Sequence, residues 1–163
     1  MKLTIFTTGG TIDKDYSARA GTYNFEIGEP AIKKILENIN PTFQYEIVSL
    51  IKKDSLDMTE EDRQHIYDRC RDNLSNKILI THGTDTMIET AKKLSTLEGK
   101  IIILVGSSKP AKFSDSDAPF NIGTAIGAIH VLDKGVYIAM NGRIYSWDNV
   151  MKVKESGKFK TLK

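Results

Sequence analysis

Two short segments of this chain gather hydroxyls, glycines and a carboxylate. The first, Thr7-Thr8-Gly9-Gly10-Thr11-Ile12, follows the run from Leu3 to Phe6; the second, Thr81-His82-Gly83-Thr84-Asp85-Thr86-Met87, follows Ile78 to Ile80. An apolar run that stops at glycine and threonine reads as a buried strand giving way to an exposed loop. The glycines allow a sharp turn and let a ligand approach without a Cβ in the way. Two such strand ends suggest chemistry by a hydroxyl nucleophile. A free hydroxyl is a weak nucleophile, so it needs an activating partner, donors for a developing oxyanion and a proton source for the leaving group. Thr11, directly after two glycines, is the first candidate.

Both segments resemble motifs of the bacterial-type L-asparaginase/glutaminase family, the threonine-nucleophile amidohydrolases, and they occur in the family's order. The resemblance implies that Thr11 is the nucleophile and that Thr84 and Asp85 belong to a second catalytic group. Its third member is a lysine beyond the fifth strand, and Asp148-Asn149-Val150-Met151-Lys152 is similar to that segment, which gives Lys152 the role. Such a lysine, held near Asp85, lowers the cost of deprotonating Thr84 or a water it orients. Tyr23 looks like the family's tyrosine that reaches the nucleophile; local spacing leaves Tyr16 as the alternative. Asp54-Ser55-Leu56-Asp57-Met58 resembles the substrate-clamp loop, with Ser55 for the α-carboxylate and Asp85 for the ammonium. Leu56 stands where relatives place a polar residue. Gly10 and Ser107 match further substrate-binding positions, Ser107 one whose backbone carbonyl holds the scissile amide. The implied substrate is L-asparagine, converted to L-aspartate and ammonia with no metal or cofactor.

Other readings have less behind them. His82 invites a triad, yet its place in the motif suggests support for the loop. Cys70 follows Ile66 at helical spacing and reads as core. The sequence has no phosphate-binding G-x-x-x-x-G-K-[ST], no G-x-G-x-x-G and no clustered Cys/His metal spacing. A net charge of +2 with dispersed Lys and Arg gives no case for nucleic acid; the basic stretch from Lys152 to Lys163 reads equally well as a solvated end. No segment approaches the roughly 20 apolar residues of a membrane span. A single cysteine fits a reducing compartment, so a cytoplasmic enzyme is the expectation.

The positioning elements alternate. A long loop, residues 8 to 28, follows the first strand and has the length of a functional lid. Ile32, Ile35, Leu36 and Ile39 recur at helical spacing between Pro30 and Asn40-Pro41. Further strands are expected at Phe43–Ile51, Lys77–Ile80, Lys100–Val105 and Val136–Met140. Helices are expected from the Thr59/Asp62 capping box, from about Thr84, and through Ile122, Ile126 and Ile129. Asn141-Gly142 signals a turn into an extra hairpin at Arg143–Ser146. These elements predict one α/β domain over 1–163: a doubly wound, mostly parallel five-stranded sheet with helices on both faces. In the flavodoxin-like order 2-1-3-4-5, strands 1 and 3 flank the switch point where such folds bind ligands.

The resemblance spans the whole chain but only the first half of a usual family member. The expected form is therefore a short one without the second domain, binding its substrate weakly and assembling as a homodimer or larger homo-oligomer. A catalytically weak or inactive amino-acid-binding module is the alternative. A flavodoxin-like nucleotide or flavin binder shares the fold expectation without the site.

Overall fold

The computed structural model describes residues 2–16 and 25–163. Its elements run β1 (Lys2–Gly9), β2 (Lys14–Tyr16), β3 (Phe25–Ile27), α1 (Ala31–Ile39), β4 (Gln44–Lys53), α2 (Glu60–Asp72), β5 (Lys77–Thr81), α3 (Met87–Leu94), β6 (Ile101–Val105), α4 (Ala118–Ile129), β7 (Gly135–Met140), β8 (Arg143–Ser146), β9 (Met151–Lys152) and β10 (Phe159–Lys160). The main sheet has the order β4-β1-β5-β6-β7-β8. Its first five members are parallel and follow the expected 2-1-3-4-5 order; β8 adds an antiparallel sixth strand at the β7 edge. The turn before β8 uses Asn141 at φ 53° and Gly142 at φ 74°, the double left-handed conformation that an Asn-Gly hairpin turn requires.

Strand alternation divides the core in two. Leu3, Ile5, Leu79, Ile103 and Val105 pack under α1 and α4, while Phe6, Ile78, Ile80, Ile102 and Leu104 pack under α2 and α3. The central strands are buried on both faces, as parallel strands covered by helices must be. Full burial of each such aliphatic side chain stabilises the fold by about 1.5–3 kcal/mol. α1 stops where Asn40 turns left-handed at φ 43° and its N–H closes on the Leu36 carbonyl at 3.0 Å. α2 opens on a reciprocal capping box between Thr59 and Asp62.

Three local expectations need correction. The segment read as one long loop has paired stems: β2 and β3 form an antiparallel ribbon, Lys14 opposite Ile27 and Tyr16 opposite Phe25. The middle of that segment, with Tyr23, lies outside the described residues. α3 begins at Met87 and not near Thr84, because tertiary partners engage Thr84, Asp85 and Thr86. The C-terminal stretch keeps Lys154, Lys158, Lys160 and Lys163 exposed to solvent, but it is pinned to the body and is not a free end. Phe159 is buried, its carbonyl accepts from the Tyr145 hydroxyl at 2.8 Å, and its N–H donates to Asn141 Oδ1 at 2.9 Å.

Candidate active site

The carboxyl ends of four neighbouring strands are laced together. The Gly10 N–H donates to the Lys53 carbonyl at 3.0 Å, the Thr8 hydroxyl to the Thr81 carbonyl at 2.9 Å, and the His82 N–H to the Val105 carbonyl at 2.9 Å. Gly10 sits at φ 85° and ψ −175°, a conformation that disfavours any side chain. A Cβ there would lie 2.5 Å from Gly83 Cα, so the two motifs cross glycine on glycine. Thr11 and Thr84, the next residues, leave from neighbouring points. Gly83 in turn has no room for a Cβ, which would meet Ser55 Oγ at 2.6 Å. Three loops thus converge because two residues lack side chains.

Around that crossing the polar groups are ordered. Lys152 Nζ donates to Thr84 Oγ1 at 2.9 Å and to Asp85 Oδ1 at 2.5 Å. The ladder between β9 and β10 holds Lys152 opposite Phe159, so the buried Phe159 fixes the lysine that reaches back to the β5 loop. With its oxygen accepting from the ammonium, Thr84 keeps its own proton free for a water or substrate atom. Ser55 is buried in a short 3-10 turn, Ser55–Asp57, and its hydroxyl has no hydrogen-bond partner among the described residues. Its carbonyl accepts from Thr86 Oγ1 at 2.8 Å, tying the Ser55–Asp57 turn to the Thr84–Asp85 loop. Leu56, next along that turn, is 71% exposed.

The β6 end completes the rim. A Cβ on Gly106 would lie 2.5 Å from the His82 carbonyl and 3.1 Å from Thr84 Cγ2. Ser107 is buried, and its hydroxyl donates to the Lys109 carbonyl at 2.5 Å. Asp117 holds this loop by accepting from the N–H groups of Ser108 and Lys109. Asn121 Nδ2 links that carboxylate to the Gly106 carbonyl. On the other side, the stem of the β2–β3 ribbon is tied to both flanking loops, by Lys14 to Asp54 at 2.7 Å and by Lys112 to Asp15.

Two buried titratable groups underlie the site. Burial holds the His82 imidazole down at about 4, against a raising bond to the Gly83 carbonyl and with a smaller push from the Arg63 charge. Nδ1 lies 2.7 Å from the Gly83 carbonyl and Nε2 2.9 Å from Thr90 Oγ1. In the neutral ring Nδ1 must then donate and Nε2 accept, so both nitrogens are occupied and His82 supports the loop. Asp13, two residues after Thr11, is pushed up to about 6 by burial, although its carboxylate accepts from the Ala31 N–H at 2.8 Å. Cys70 lies in the core, and burial raises its thiol to about 12.

The structure brings Gly10, Ser55, Thr84, Asp85 and Lys152 to one place, with Thr11 and Ser107 on the adjoining strand ends; Tyr23 lies outside the described residues. Sequence reasoning missed Thr86 as the anchor of Ser55, although it lies inside the second motif. It also missed the Asp117–Asn121 brace, an i,i+4 pair at a helix start. A buried acid such as Asp13 has no sequence signal. Among the described residues no group of three or more His, Cys, Asp or Glu could hold a metal, and no helix is long and apolar enough to cross a membrane.

Comparison with known proteins identifies the family. A glutaminase-asparaginase of Acinetobacter glutaminasificans is 29% identical over 160 residues, covering 91% of this chain and 48% of that protein. The thermostable L-asparaginase from Thermococcus kodakarensis superimposes with a TM-score of 0.86 at 28% identity, over 99% of this chain and 51% of that one. A probable cytoplasmic L-asparaginase from Campylobacter jejuni gives 0.82 at 26%, over 98% and 52%. The chain thus spans about half the length of the relatives it matches. The family model for the N-terminal part of asparaginase matches residues 2–162, and the chain belongs to that family.

Proposed function

We propose that this chain hydrolyses L-asparagine to L-aspartate and ammonia through an acyl intermediate on Thr11. The observation that carries the reading is Lys152 Nζ bridging Thr84 Oγ1 and Asp85 Oδ1 beside the Gly10–Gly83 crossing from which Thr11 emerges. Thr11 Oγ attacks the side-chain amide carbon, with Tyr23 as the partner that its motif resemblance suggests. The C–N bond breaks, and the nitrogen leaves as ammonia with the hydroxyl's proton. A water held at Thr84 then attacks the ester, releasing aspartate and restoring the Thr11 hydroxyl. The free Ser55 hydroxyl takes the α-carboxylate and Asp85 the ammonium. Backbone at Gly10 and Ser107 completes the pocket.

Leu56 offers no hydrogen bond beside Ser55, so binding is weak, with KM toward the millimolar end of the usual range. The reading includes assembly as at least a homodimer, as the resemblance implies. The single cysteine, buried and unreactive, suits a cytoplasmic setting. Ammonia release from L-asparagine and L-glutamine by the purified chain tests the reading. Release that rises with enzyme concentration supports it. Aspartate binding without turnover would favour an amino-acid-binding module instead.

A further inference from the structure

The Ser55–Asp57 turn owes its shape to contacts at both ends. At its start the Asp54 carboxylate accepts from the Leu56 N–H at 3.1 Å, and Thr86 holds the Ser55 carbonyl. At its end Arg63, on α2, folds its guanidinium back over the first helical turn. There Nη1 donates to the Met58 carbonyl at 3.2 Å and reaches the Thr59 carbonyl at 3.4 Å. Both carbonyls lie at the junction where the turn becomes the helix. An arginine on a surface helix ordinarily extends its head into water. Arg63 does not: its Nε is buried without a hydrogen-bond partner among the described residues. A buried unsatisfied donor destabilises the fold, so something at this position outweighs that cost. The guanidinium also lies close enough to His82 for its charge to help keep that ring neutral. It thus anchors the junction just after the Ser55–Asp57 turn, and that turn packs on Gly83 with Ser55 Oγ buried and free.

We infer that Arg63 is a positioning residue for the substrate pocket: by holding the Met58 and Thr59 carbonyls it fixes the Ser55–Asp57 turn against Gly83, so that the Ser55 hydroxyl is aimed before substrate arrives. This rests on the proposed amide hydrolysis and on Ser55 as a binding group. Arg63 touches no reacting atom, so its effect falls on binding. An interaction equal in ground and transition states changes KM and leaves kcat alone. Loss of a hydrogen bond from a charged donor corresponds to about tenfold or more in affinity.

The test compares the wild-type chain with Arg63→Met and Arg63→Lys. Arg63→Met should raise KM for L-asparagine about tenfold with kcat within about threefold, and should weaken aspartate inhibition in parallel. Lysine, which can reach one carbonyl with a single charged donor, should recover most of the loss. Hydrogen exchange provides a readout independent of turnover. In Arg63→Met the amides of Leu56, Asp57 and Met58, hydrogen-bonded within this turn, and of Thr59, bonded to Asp62 at the helix cap, should exchange faster while those of β5 and β6 stay protected. Unchanged exchange in the turn would overturn the inference whatever the activity. Faster exchange with unchanged KM would overturn it too, leaving Arg63 a purely structural residue. A wild-type chain that neither hydrolyses asparagine nor binds aspartate would instead bring down the functional reading, and the inference with it.

Discussion

Replacing Asp13 by asparagine should stabilise the protein at neutral pH and uncover a pH dependence that the wild type conceals. Asp13 lies buried in the turn that carries Thr11, and its carboxyl is pushed from 3.8 to about 6 by burial. The Ala31 N–H and the Lys52 charge oppose that shift only in part, and Glu29 adds to it. A folded-state value above the unfolded one contributes stability below the unfolded value and loses it as pH rises through the folded one. Between pH 3.8 and about 6 the fold thus loses about 3 kcal/mol, which stays lost at pH 7. His82 runs the other way. Its folded value near 4 lies below the ordinary 6.5, so its contribution is present above pH 6.5 and fades as pH falls towards 4. In that window folding takes up a proton at Asp13 and releases one at His82, and the two slopes oppose. Asp54 and Asp62, held low by Lys14 and Lys53, act below it.

Asparagine keeps an oxygen to accept from Ala31 and carries no charge to desolvate. Urea unfolding from pH 4 to 8 should show a nearly flat wild type between 4 and 6.5. The variant should gain about 3 kcal/mol across that range as the His82 slope stands alone, and should exceed the wild type at pH 7. Parallel wild-type and variant curves would refute the assignment of a buried, neutral Asp13.

Lys152→Met should lower kcat at least about a hundredfold, the lower range for a positioned acid–base group. The Lys152–Asp85 pair is partly exposed, so stability should change by no more than about 1 kcal/mol; normal turnover with lowered stability would make the lysine structural. Leu56→Gln should lower KM about tenfold and leave kcat alone, checked by steady-state kinetics; a wild-type KM already in the low micromolar range would contradict weak binding. Light scattering at micromolar concentration should give at least twice the 18.2 kDa chain mass, and a monodisperse monomer would rule the oligomer out.

The sheet was legible because its central strands are nearly unbroken apolar runs ending at Gly or Thr, while the edge strand Gln44–Lys53 alternates. Ile101–Val105 and Ile78–Thr81 show this most clearly, and both are buried on both faces. Helix boundaries were legible where local chemistry sets them, as at Thr59 with Asp62 and at Asn40. They were not where a distant partner intervenes. Thr84, Asp85 and Thr86 would start a helix if left alone, but Lys152 and the Ser55 carbonyl, far away in sequence, hold them in a bent loop outside it. The β9–β10 ladder was hidden for a related reason. Its core contribution comes from one residue, Phe159, set among lysines, and a single buried side chain makes no period. At the site, residue types and order were visible in the two motifs. The crossing of Gly10 on Gly83 was not, since it depends on a β1–β5 register that places Thr7 beside Thr81.

The central claim is that Thr11 is the nucleophile. The most direct measurement is kcat for ammonia release from L-asparagine by Thr11→Ala beside the wild-type chain, with hydrogen exchange confirming an unchanged core. A loss of at least about a hundredfold is expected, because the variant lacks the hydroxyl assigned to carry the acyl intermediate. A variant that turns over at the wild-type rate would contradict the mechanism.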